Sequence, residues 1–330
     1  MANERFLITG GTGCIGSWVV RGLVRGGAPV TMVSTVRRRD RLELILTADE
    51  LAAVEIVEAD VNDLETIEVA ARRSGVTAIV HLAALQLPLC AADPVAGARV
   101  NVQGTASAFE LARRLGIGRV VYASSAAVYG PKDHYDEEVV GPDAELSPTS
   151  HYGVFKVANE QAAGVYWQTG GIASIGLRPH SAYGPGRDQG VTSKPTLAMI
   201  AAAGGRPYHV DFGGSYQFQF VEDVAAAFIT AARADRPGAD VFSIGGPRIG
   251  VDEIVEVIAG LDPSTRGRIT FGDRILPFPT AFDGRPLEAA LGIQPVTPVE
   301  DGTRRTIETY RAAFRDGRLG DAYLDRVLAS

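Results

Sequence analysis

Three lysines serve 330 residues, and one of them, Lys156, falls four positions after Tyr152, the only tyrosine–lysine pair in the chain with that spacing. On a helix covering 151–168 the two side chains share a face, one turn apart. A phenol with a pKa of about 10 is a poor base near neutrality, but an ammonium within a few ångströms favours the phenolate and brings it toward the working range. The same ammonium can donate to sugar hydroxyls. Taken alone, the spacing fits a surface tyrosine beside a solvated lysine equally well.

Two other stretches change that balance. The apolar run 119–124 ends in Ser124-Ser125; if it is a parallel strand, a hydroxyl at its carboxyl end points into the crevice where ligands of open α/β sheets bind. Ser125 is then placed to hold an oxygen near the Tyr152 hydroxyl. Near the N-terminus, "FLITGGTGCIGSWVV" sets Gly10, Gly13 and Gly16 in a G-x-x-G-x-x-G pattern between an apolar strand and a helix. Glycines there allow a tight turn and close backbone approach. The first-turn N–H groups, at Cys14 and Ile15, then face a pyrophosphate, and a dinucleotide is the expected ligand.

These residues require a scaffold, and the chain's rhythm supplies one. Six short apolar runs ("RFLITG", "PVTMVS", "VEIVEAD", "AIVHLAA", "RVVYASS", "ASIGLRP") alternate with helical stretches at 15–26, 62–74, 99–115 and 151–168. That alternation predicts an α/β fold with a doubly wound parallel sheet of the Rossmann type. Beyond about residue 178 proline and glycine become denser, which predicts a smaller C-terminal α/β substrate-binding lobe. The expected division is 1–178 for the dinucleotide-binding domain and 179–330 for the lobe, with about 215–245 returning to the sheet. A last helix is expected at roughly 300–315.

Ribose chemistry is read from the end of the second strand. An acidic residue there would accept from a free 2′-OH and repel a 2′-phosphate; this chain instead has Ser34, followed by Arg37 and Arg38. Hydroxyls with guanidiniums suit a phosphate, so among NAD and NADP the sequence leans to NADP. Asp60 and Val61 close the third strand, where they are placed to bracket an adenine, to cap the next helix, or both.

Composition excludes several classes. The net charge of −7 gives no footprint for nucleic acid or an anionic membrane. Apolar residues at 46% and charged residues at 22% are those of an ordinary folded protein. No apolar run reaches about 18 residues, and no membrane span is expected. Two distant cysteines and the absence of a secretory apolar segment point to the cytoplasm. No metal site is expected.

With these residues in view, the sequence resembles the extended short-chain dehydrogenase/reductase family, the NAD-dependent epimerase/dehydratase group that includes UDP-galactose 4-epimerase. The resemblance spans nearly the whole chain and rests on "TGGTGCIG", "DV" at 60–61, "HLAA" at 81–84, "NVQGT" at 101–105, "SSAAVYG" at 124–130, "YGVFK" at 152–156, "LRPHSAYGPG" at 177–186 and "FVEDVA" at 220–225. It implies a catalytic set of Ser125, Tyr152 and Lys156, with Leu82, Ala83, Ala84, Asn101 and Pro179 around the cofactor. It also implies a homodimer through a four-helix bundle built from 99–115 and 151–168.

Departures from the family pattern narrow the chemistry. Dehydratases follow the strand-end hydroxyl with an Asp-Glu pair, and here Ala126 and Ala127 stand there, so dehydration is not expected. Ser181 and Tyr216 occupy places where nucleotide-sugar members carry Asn and Arg, and the Arg-Pro of 285–286 lacks its following Gly-Asp. A substrate without a nucleotide handle is therefore favoured. In the loop 182–195, Arg187 and Lys194 either pair with its carboxylate or phosphate or stand in solvent, and Gln86 and His180 are candidate hydrogen-bonding groups at the mouth.

The expected activity is hydride transfer between nicotinamide and a secondary alcohol or ketone of a small sugar, sugar acid or hydroxy acid. The alternatives are an epimerase with no net redox change and a non-catalytic cofactor-binding sensor.

Overall fold

The computed structural model describes residues 4–35, 39–292 and 294–329. All six apolar runs are strands: β1 (Phe6–Thr9), β2 (Val30–Ser34), β3 (Val54–Glu58), β4 (Ala78–His81), β5 (Arg119–Ala123) and β6 (Ala173–Arg178). A later strand, β7 (Ala239–Ser243), pairs with β6 and completes a parallel seven-stranded sheet in the order β7-β6-β5-β4-β1-β2-β3. The winding direction reverses between β1 and β4, and a crevice opens beyond their carboxyl ends.

Near-continuous apolar strands demand cover on both faces. On one face, Trp18, Val19, Val20 and Leu23 of α1 (Cys14–Arg25) pack with Val224, Phe228 and Ala231 of a helix near residue 230 against Phe6, Ile8 and Met32. The other face is covered by α2 (Leu64–Ser74), α3 (Gly104–Leu115) and α4 (His151–Gly170), where Ile67, Phe109, Leu111 and Ala163 meet Leu7, Ile79, Val120 and Tyr122. The helix near 230 is α5 (Val221–Arg233).

The helix expected from 99 begins with a wide π-type turn, Arg99–Gln103, before α3. Such turns recur at functional sites, and this one carries the buried Asn101.

After β6 the elements shorten. Strands 181–183 and 218–220, 208–210 and 269–271, and 215–216 and 249–250 form three small pairs. They and the helices Lys194–Ala203, Val251–Leu261 and Val299–Arg315 enclose a second core of Phe212, Tyr216, Phe218, Ile254, Ile258 and Ile307. A final helix, Asp321–Leu328, was not foreseen in the sequence. Among the described residues no helix is long and apolar enough to cross a membrane.

Candidate active site

The parallel register aligns the ends of three strands: His81 lies opposite Tyr122, and Ala123 opposite Leu177. Their following residues, Leu82–Gln86, Ser124–Ala127 and Pro179–His180, therefore emerge side by side. The amide N–H of Ala126 donates to the Pro179 carbonyl at 3.0 Å and ties two of these ends together.

The glycine turn lies beside them. Gly10 has φ +70°, and a Cβ on it would come within 2.6 Å of the Ala83 nitrogen, so only glycine lets the two loops approach this closely. Gly13 caps α1 without a side-chain acceptor, and the helix's first turn has no acidic residue. Its N–H groups and dipole are left for an anion. Burial pushes the Cys14 thiol up to about 11, against the opposing charges of Arg187 and Arg41, so both guanidiniums lie within electrostatic reach of that helix end. This cradle fits the pyrophosphate of a dinucleotide.

The loop after β4 is held from behind. The Thr9 hydroxyl accepts from the N–H groups of Leu82 and Ala83 at 3.2 and 3.3 Å. Asn101 exchanges two hydrogen bonds with the backbone of Leu85, 2.7 and 3.0 Å long, and its carbonyl accepts from Asn159 on α4. The Asn101 amide is thus spent on protein and acts through Leu85.

The two serines separate cleanly. Ser124 is buried and donates to Glu160, which in turn grips Arg178 in a buried pair. Ser125 caps the short turn that follows, accepting from the Ala127 N–H at 3.1 Å, and its hydroxyl lies near enough to the Tyr152 phenol to draw that phenol's pKa down. Close approach at Gly153 makes this possible: a Cβ there would collide with the Ala127 carbonyl oxygen.

The ionisation of the pair differs from the sequence-based expectation. Burial raises the Tyr152 phenol above its ordinary value, and the Ser125 hydroxyl and the charge of Arg187 draw it back. Lys156 is buried, brought down to about 8 by desolvation, and donates from Nζ to the Ala123 carbonyl at 2.6 Å. Its ammonium lies 5.5 Å from the centre of the Tyr152 ring rather than on the phenol oxygen.

A model of the "NAD dependent epimerase/dehydratase family" matches residues 6–245 of this sequence. The chain belongs to that family. Its catalytic members are NAD-dependent enzymes of carbohydrate metabolism, and this chain is accordingly an NAD(P)-binding enzyme of that kind. A UDP-glucose 4-epimerase of Mycolicibacterium smegmatis is 29% identical over 93% of the chain and 98% of its own length. A probable dTDP-glucose 4,6-dehydratase of Sinorhizobium fredii is 27% identical over 93% and 92%. Among solved structures, MoeE5 in complex with UDP-glucose and NAD is 27% identical with a TM-score of 0.75, covering 94% of this chain and 99% of that one. A Thermus thermophilus UDP-glucose 4-epimerase shares the fold, with a TM-score of 0.78 at 24% identity over 94% and 100%.

Within this epimerase/dehydratase chain several candidates fall elsewhere than expected. Tyr216 is core: it is fully buried, its hydroxyl accepts from the Leu276 N–H at 2.8 Å, and Phe212, Phe218 and Phe278 surround its ring. Lys194 pairs with Asp211 at 3.0 Å. The His180 ring lies between Phe278 and Phe282 with Nε2 on the Pro279 carbonyl at 2.9 Å, and burial lowers its pKa to about 4. Ser181 is buried at the start of the 181–183 strand.

Asp60 pairs with Arg99 at 2.5 Å and accepts from Asn62, while the cap of α2 is Asp63; Val61 packs on Gly104. Ser34 lies 3.2 Å from the Thr12 hydroxyl in the glycine turn. Arg37 and Arg38 lie outside the described residues. Glu160 and Arg178 were missed, although an acid one turn beyond Lys156 is visible in the sequence.

Proposed function

We propose that this enzyme transfers hydride between a nicotinamide and a secondary alcohol or ketone of a small sugar, sugar acid or hydroxy acid. The observation that carries the reading is the convergence of Ser125, Tyr152 and Lys156 beyond the carboxyl end of β5. Bound NAD or NADP supplies the hydride acceptor or donor at its nicotinamide ring.

The protein's own groups do the rest. Ser125 donates to the substrate oxygen and fixes it beside the phenol. Tyr152 takes the hydroxyl proton during oxidation and returns it during reduction. Lys156, charged below about pH 8, presents its ammonium to the cofactor ribose and to the Tyr152 ring. Gly10, Gly13, Cys14, Ile15 and Gly16 receive the pyrophosphate, and Leu82, Ala83, Ala84 and Pro179 line the nicotinamide side. Ala126 and Ala127 provide no acid–base pair, which argues against dehydration.

The second reading is a sugar epimerase without net redox change, favoured by the name of the 29% identical relative. Absorbance at the reduced-nicotinamide band separates the two. Steady accumulation with a panel of sugars and hydroxy acids supports the dehydrogenase, and epimerised product at constant absorbance replaces it with the epimerase. Running the panel with each cofactor tests our preference for NADP, which rests on Ser34 and the arginines that follow it.

We further infer a lobe running mainly from 179 to 330 as the substrate-binding part, and a homodimer through α3 and α4. Val154, Val165 and Trp167 of α4 are exposed and apolar, which suits such a contact; sedentation of the intact chain as a monomer would discard it. Two buried, free cysteines suit a reducing cytoplasm.

A further inference from the structure

We propose that Arg187 anchors an anionic group, a carboxylate or a phosphate, carried by the substrate next to the carbinol that Tyr152 deprotonates. This rests on the hydride-transfer reading above and specifies its substrate.

The loop 184–194 carries three charged side chains, Arg187, Asp188 and Lys194. Asp188 is buried and committed to Arg41, with contacts of 2.5 and 3.1 Å. Lys194 is committed to Asp211. Arg187 alone is left: among the described residues it has no carboxylate within ion-pair distance, its Nη2 reaches only the Thr192 hydroxyl at 3.3 Å, and its Nε is buried without an acceptor. A buried N–H without a partner is costly. A guanidinium left with open donors in a fixed fork matches a carboxylate or phosphate bidentately.

Position decides what that anion belongs to. A Cβ on Gly190 would stand 2.8 Å from Gln86 Oε1 and 3.1 Å from Arg187 Nη2, so the guanidinium and the Gln86 side chain meet against the same glycine. Gln86 follows β4 directly after the nicotinamide-side residues, and the charge of Arg187 acts on the Tyr152 phenol as well as on Cys14. Arg41 also borders the phosphate turn, its Nη1 donating to the Thr12 carbonyl at 3.3 Å, but its charge is already matched by Asp188.

The loop is also fixed before any ligand arrives. Trp18 donates to the Pro185 carbonyl at 2.9 Å, the Tyr310 hydroxyl accepts from the Gly186 N–H at 3.1 Å, and Ser193 donates to the Gly190 carbonyl at 2.7 Å. A donor pair held this way loses little freedom on binding.

The test is calorimetric titration of NAD-saturated enzyme with matched neutral and acidic sugars, glucose against glucuronate and galactose against galacturonate, and with inorganic phosphate. Wild type is expected to bind at least one of the acids or phosphate about tenfold or more tighter than the neutral sugars. Arg187→Met abolishes that preference, Arg187→Lys keeps part of it, and NAD affinity stays within about twofold in both. The proposal is overturned by wild type that binds NAD but shows no anion preference, or by a preference that survives Arg187→Met. It is equally overturned if Arg187→Met weakens NAD about tenfold and spares the acids, because Arg187 would then serve the cofactor pyrophosphate. Failure of the hydride-transfer reading looks different: Tyr152→Phe would turn over like wild type while the anion preference stood.

Discussion

The Lys156 ammonium sits 5.5 Å from the centre of the Tyr152 ring and donates its proton not to the phenol oxygen but to the Ala123 carbonyl, 2.6 Å away. This places a buried cation at the carboxyl end of β5, where its charge is held by a backbone dipole and is available to ribose hydroxyls. Against the burial that raises the phenol, the charge of Arg187 also draws it back. The cations around Tyr152 thus come from a helix neighbour and from a loop in the second half of the chain.

Lys156→Met should lower turnover about 100-fold or more, the usual weight of a general acid–base partner, and should change stability in a pH-dependent way. Burial holds the folded-state pKa near 8, below the ordinary 10.5. The unfolded chain then binds more protons between those values, and wild type gains stability as pH rises from 8 to 10.5. At 1.36 kcal/mol per unit this approaches about 3 kcal/mol. Urea titrations of wild type and Lys156→Met across that range measure it, and parallel curves would show that the ammonium is not buried as described.

Ser125→Ala and Ser124→Ala should have opposite signatures. The first removes the hydroxyl that meets Tyr152 and should cut kcat about 10- to 100-fold with stability nearly intact. The second strips a buried donor from Glu160 and should cost about 1–2 kcal/mol with little change in kcat. Rates and melting temperatures measured on the two variants decide which serine is catalytic.

The sheet was legible because its strands are short, apolar and bounded by turns, and six of six apolar runs fall in it. The Ser125, Tyr152 and Lys156 neighbourhood was legible because each residue hangs from such an element. What was hidden depends on partners far along the chain. Nothing local distinguishes Tyr216 as core until Phe212, Phe218 and Phe278 close around it, or shows that Lys194 is taken by Asp211 while Arg187 is not. The ammonium's turn toward Ala123 depends likewise on how deeply α4 packs against β5, which no spacing reveals.

His180 should act as an acid-sensitive point in the joint between sheet and lobe. Burial between Phe278 and Phe282 lowers its folded pKa to about 4 from the ordinary 6.5. The unfolded chain therefore takes up the proton first, and the stability present above pH 6.5 is lost as pH falls toward 4, by up to about 3 kcal/mol. His180→Phe keeps an aromatic ring there but cannot titrate. Its loss between pH 6.5 and 4 should be shallower than that of wild type in denaturant titrations, and an equal slope would remove His180 from the account.

Arg41 and Asp188 should behave as a latch joining the glycine turn to the substrate loop. Arg41 bonds the Thr12 carbonyl on one side and Asp188 on the other, and the Asp188 side chain is 6% exposed. Arg41→Met leaves that carboxylate buried without its partner and should cost about 3 kcal/mol, the lower end for broken buried pairs because Arg41 itself reaches solvent. Adding Asp188→Asn removes the stranded charge and should recover at least half of the loss, a coupling that two independent surface charges would not show. Stability alone would not distinguish a latch from a simple brace. Because the Thr12 carbonyl lies in the turn that receives the pyrophosphate, both the single and the double variant should also bind NAD about tenfold more weakly, even where stability has been restored. Fluorescence titration with NAD checks this, and full affinity in the double variant would mean that Arg41 holds the loop without shaping the cofactor cradle.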